Sequence, residues 1–136
     1  MDKLEQTILE INTFVRKDLW QDFKILAFEY GSLKIIGSID LSSNYTIEIT
    51  FIATSFMEIN YTWMTDTSKD MLMLASDEEN LYLNAKYQIE EGYTLFKIIP
   101  EFFEEQEDFG FFVAAKDISF KTEKVYHFPP KSDTDL

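Results

Sequence analysis

The chemistry available to this chain is set first by what it lacks. There is no cysteine, so thiol nucleophiles, disulfides and cysteine zinc sites are excluded. His127 is the only histidine, in "VYHF" near the end of a strand-like run, and no Gly-x-Ser-x-Gly elbow accompanies it. His127 therefore reads as a strand-end residue and not as a general base. One histidine without cysteine makes a poor transition-metal site. No phosphate-cradling glycine loop is present, and the carboxylates at 77–80 and 101–110 lack the spacing of a calcium loop. No cofactor and no metal are expected.

What remains is carboxylate. Glu48 and Glu58 fall on the expected wet face of neighbouring strands, where a close pair could run glycoside hydrolysis by splitting their pKa values. That hydrolase reading is a minor alternative, because glutamate on a solvent face is common. The larger concentration is elsewhere. "SDEEN" carries Asp77, Glu78 and Glu79. "IIPEFFEEQEDFGFF" (98–112) carries Glu101, Glu104, Glu105, Glu107 and Asp108 among Phe102, Phe103 and Phe109. Aromatics beside these carboxylates could serve as apolar anchors within a charged rim, a layout suited to protein interfaces.

The whole chain carries a net charge of −13, and Arg16 is its only arginine. Nucleic-acid contact needs clustered Lys and Arg, so none is expected. An acidic domain is repelled by polyanions and membrane surfaces and attracted to basic ones. No apolar run approaches the roughly 18 residues of a membrane helix. The opening Met1-Asp2-Lys3-Leu4-Glu5 lacks a signal-peptide pattern, so a cytoplasmic address is expected.

The elements that must position these residues follow from periodicity. Leu4, Ile8, Ile11 and Val15 form one helical stripe, with Asp2 as N-cap and Glu5 as its capping-box partner; the helix is expected to end near Lys17. From residue 23 onward the period is two. Strands are expected over 23–31 and 33–40, joined by a turn at Gly31-Ser32, and over 44–54 and 56–64. "MLMLAS" (71–76) fits one helical turn or a short strand. Residues 80–89 alternate and read as a strand, returning through Glu90-Glu91-Gly92 into 93–99. Segments 109–117 and 119–128 read as a last pair.

The expected fold is α+β: an N-terminal helix on a curved antiparallel sheet of about seven or eight strands, a meander or half-barrel. At 136 residues it makes a single domain over 1–130 with a loose tail at 131–136. In such a meander the 77–79 break and the 101–108 connection share one edge of the sheet.

Three functions remain. The first is a non-enzymatic acidic binding protein whose basic protein partner meets Asp77, Glu78, Glu79 and 101–109, in its sharpest form an immunity-type inhibitor of a toxin enzyme. The second is an apolar-ligand domain with Phe51, Tyr61, Trp63, Phe96 and Phe112 lining a pocket under the helix. The third is the carboxylate hydrolase.

Overall fold

A computed structural model describes residues 2–101 and 109–128. Helix α1 (Lys3–Val15) begins where Asp2 accepts the Glu5 N–H at 2.8 Å. It buries Ile8, Ile11, Asn12 and Val15 and ends at Val15, two residues before Lys17. Strands β1 (Trp20–Glu29) and β2 (Ser32–Ser38) then pair around Tyr30-Gly31. Both turn residues have positive φ, 51° and 76°, as a two-residue hairpin matched to strand twist requires. The turn thus sits one residue earlier than the glycine alone suggested. On β2, Gly37 leaves room for the Phe23 ring; a Cβ there would lie 2.5 Å from it.

Next come β3 (Asn44–Tyr45), β4 (Ile47–Ile52), β5 (Phe56–Glu58), β6 (Thr62–Asp66) and β7 (Leu72–Leu74). Helix α2 (Asp77–Tyr87) follows, then β8 (Thr94–Ile98), β9 (Phe111–Ala115), β10 (Asp117–Lys121) and β11 (Val125–Tyr126). All described pairings are antiparallel. The α+β class holds, but the strands make two main sheets and a small pair where one curved sheet was expected. The first sheet runs β10-β4-β2-β1-β6 and the second β5-β9-β8-β7, with β11-β3 apart.

The sheets are joined where two strands change layer. After β4 the chain bends at Ala53 (φ 55°) into β5, and only Lys116 separates β9 from β10. Lys116 N–H donates to Ile52 O and Ser55 N–H to Ala114 O, both at 2.9 Å, which locks the two bends together. This corrects two expectations. The segments around 109–117 and 119–128 are not a hairpin, because one residue cannot reverse the chain; β9 pairs with β8 and β5, and β10 with β4. Likewise 56–64 is two strands in different sheets. At another margin, Ile99 N–H reaches Met71 O and Glu101 N–H reaches Met64 O.

The main core lies between the sheets. Phe23, Leu33, Ile35, Ile49 and Phe51 face Phe96, Ile98, Phe111 and Val113, and Ile8, Ile11 and Val15 of α1 complete it. Helix α1 packs against β10 and β7, the outer strands of the two sheets. On the β7 side Asn12 holds the strand by its backbone: its Nδ2 donates to Leu72 O at 2.8 Å, and its Oδ1 accepts from Met71 and Leu72 N–H at 3.1 and 3.0 Å. Those peptide groups would otherwise be unpaired at a sheet edge.

The reading of 80–89 as a strand is overturned. Ser76 and Glu79 form a reciprocal capping box, which satisfies two of the donors a helix start leaves open. Gln88, in the left-handed conformation, ends the helix. The alternation of Leu81, Leu83, Ala85 and Tyr87 was real but carried no face: Leu83 is buried while Leu81 is 73% exposed. Residues 90–92 are consequently the return loop of a helix and not a hairpin turn. Leu83 covers a second, smaller core with Leu95, Phe112 and Ala114, on the far side of the second sheet.

Candidate functional site

Along β8, Leu95 and Lys97 alternate with the core residues Phe96 and Ile98 and so face outward, toward α2. Lys97 is only 7% exposed. A lysine there needs a partner, and it has one: Nζ lies 2.6 Å from Glu79 Oε2. The ammonium also stands 5.8 Å from the centroid of the Phe112 ring. Glu79 thus uses one oxygen for the capping box and the other for the ion pair. Burial pushes its carboxyl up, but hydrogen bonds from Lys97 and from Ser76 N–H, with the Lys97 charge, outweigh that and hold its pKa below the ordinary value.

Around this pair lies a cleft of about 610 Å³, between the first turns of α2 and the outward face of the second sheet. Its apolar side is Met73, Leu74, Leu83 and Phe112; its polar side is Glu58, Ser76, Glu78, Glu79 and Tyr82. Glu58 is held from the far end of α2 by the Tyr87 hydroxyl, which donates to Oε2 at 3.2 Å. Phe56 and Tyr87 pack ring to ring at 4.6 Å beside it. Three carboxylates therefore face one ammonium in this cleft.

The residues singled out from sequence fare unequally. Asp77, Glu78 and Glu79 occupy the first turn of α2, where the helix dipole favours negative charge. Glu78 and Glu79 line the cleft; Asp77 is not among its lining residues. Glu101 is exposed, and Phe109 is 42% exposed with its ring edge-on to Phe111 at 6.1 Å. Phe102, Phe103, Glu104, Glu105, Glu107 and Asp108 lie outside the described residues.

The meander that was to place 77–79 and 101–108 on one edge does not exist. Ala75 N–H donates to Leu95 O near the start of β8, whereas Glu101 lies beyond the other end of that strand, its N–H on Met64 O. One side chain, Lys97, lies against both Gly110 and α2. Gly110, where the acidic connection rejoins the sheet, stands so close to Lys97 that a Cβ would come within 2.8 Å of Cε. Glu79 grips the end of that same side chain. Sequence reasoning missed Lys97, Tyr82 and Met73, and singled out Glu58 only as the partner of Glu48. The available signals were Ser76-x-x-Glu79, which marks a helix start, and a single lysine inside "YTLFKII".

The other candidates separate. Glu48 lies on the outer face of the first sheet, its Oε2 3.3 Å from Lys121 Nζ in a charge contact without hydrogen-bond geometry. Its neighbours Ile47 and Ile49 point into the main core, whereas Glu58 pairs with Phe112 on the outward face of the second sheet. The core lies between the two glutamates, so they make no acid/base pair. His127 Nε2 donates to Leu41 O at 2.8 Å and its ring tilts against Tyr45. Phe51 and Phe96 meet edge-to-face inside the filled core, and Tyr61 is 63% exposed, so the proposed apolar pocket is not assembled. Among the described residues no group of three or more His, Asp or Glu converges as a metal site, and no helix is long and apolar enough to cross a membrane. No protein-family model matches the chain, and neither a curated protein nor a solved structure does.

Proposed function

We propose that the chain is a non-enzymatic binding protein for a basic protein partner, with the α2 side of the second sheet as its contact surface. The observation that supports this reading is the cleft beside α2, where Glu58, Glu78 and Glu79 share one space with the single ammonium of Lys97 and the apolar Met73, Leu74 and Phe112. Excess carboxylate beside apolar surface attracts a cationic face and gives it something to bury against. A net charge of −13 selects a basic protein over phosphate-bearing partners. An immunity-type inhibitor seated on a basic toxin enzyme is the sharpest form of the reading.

The test is capture of a partner from the native source, followed by association kinetics at several salt concentrations. The expected partner is basic, with association slowing as salt rises. Replacing Glu104, Glu105, Glu107 and Asp108 by their amides is expected to slow association further. Salt-independent association that this replacement leaves unchanged defeats the reading.

A further inference from the structure

The cleft already accommodates one alkylammonium, its own. The Lys97 stem lies against Gly110, and its charged end lies between Glu79 and the Phe112 ring. That closes one charge. Glu58 and Glu78 face the same space, and among the described residues neither has a cationic side chain within 4.0 Å. Below them the cleft offers methylene-compatible surface from Met73, Leu74 and Leu83. A metal ion would use the carboxylates and waste that apolar side, since hard cations take oxygen ligands throughout. A purely apolar ligand would leave the two exposed carboxylates at its edge without a counter-charge. An aliphatic chain ending in a cation answers both halves.

We infer that the cleft receives one lysine or arginine side chain of the partner, its methylenes on Met73, Leu74 and Leu83 and its charged head at Glu58 and Glu78. This rests on the basic-partner reading and narrows it to one anchoring pocket. Long cationic side chains bury their stems while keeping the head polar, and such anchors in pockets carry a large share of interface energy. The volume, about 610 Å³, falls in the range of side-chain and small-ligand sites.

The experiment is a methyl and amide NMR titration of the whole chain with N-acetyl-lysine methylamide, N-acetyl-arginine methylamide and the uncharged N-acetyl-norleucine methylamide. The expected result is saturable shifts at Met73, Leu74, Leu83 and Phe112 with the two cationic probes, and none with norleucine. Glu78→Gln and Glu58→Gln/Glu78→Gln are expected to weaken the cationic probes about fivefold or more, with melting curves confirming that both variants fold. Equal shifts with norleucine, shifts centred away from the cleft, or unchanged affinity in the double variant overturn the inference. A lysine-rich peptide run in parallel separates the two levels. If it binds in a salt-dependent way while the cleft stays silent, the pocket assignment falls and the basic-partner reading stands; if it does not bind, both fall.

Discussion

The two helices of this protein are held by different physics. Helix α1 is fixed from its buried side: Ile8, Ile11 and Val15 enter the main core, and Asn12 grips the β7 backbone. Helix α2 buries Leu83 alone and is fixed at its two ends, by the Ser76–Glu79 box and the Glu79–Lys97 pair at the start and by Tyr87 on Glu58 and Phe56 at the finish. One helix is a structural wall. The other is a polar lid whose stabilising charges are also the walls of a cleft. A surface that must meet a partner is better built on the second kind, because its carboxylates stay at the margin of the fold and not inside it.

The largest expected effect breaks the first half of that contrast. Ile11 is fully buried, and Ile11→Ala is expected to destabilise the fold by about 4 kcal/mol in urea unfolding. Asn12→Ala should cost about 3 kcal/mol, since it leaves the Met71 and Leu72 N–H groups and the Leu72 carbonyl without partners. Amide exchange at Leu72 should accelerate in Asn12→Ala more than exchange at Phe51.

The second half predicts smaller losses. Ser76→Ala removes the cap of α2 and is expected to cost about 1 kcal/mol, with faster amide exchange confined to the start of α2. Glu79 supplies the pH dependence. Its folded pKa lies below its ordinary 4.5, so its contribution is present above that pH and is lost as pH falls through the lowered folded value. Glu79→Gln should flatten this part of the acid-unfolding profile. The remaining slope comes in part from Asp40, held down by hydrogen bonds from Ser42 and Ser43, and from Asp66, held down by Ser68. An unchanged profile in Glu79→Gln contradicts the role given to the ion pair.

The same contrast explains what could be read in the sequence. Helix α1 was legible because its core contacts impose a period on Leu4, Ile8, Ile11 and Val15. The class and the long strands were legible for the same reason, as at Ile47, Ile49 and Phe51. Helix α2 was not, since a helix with one buried residue imposes no stripe, and chance alternation at Leu81, Leu83 and Ala85 took its place. The layer changes at Ala53 and Lys116 were also hidden, because a strand that bends from one sheet into another keeps its alternation on both sides of the bend. The acidic residues were visible as composition, but their neighbour Lys97 needed three-dimensional placement.

The most direct measurement of the central claim is shift mapping of the labelled protein with a lysine- and arginine-rich peptide across salt. The account predicts changes centred on residues 73–83, Lys97 and 110–112, shrinking as ionic strength rises toward ~1 M, where the screening length falls to about 3 Å. Changes absent at every salt concentration, or centred on the outer face of the first sheet around Lys24, Lys34 and Glu48, contradict it.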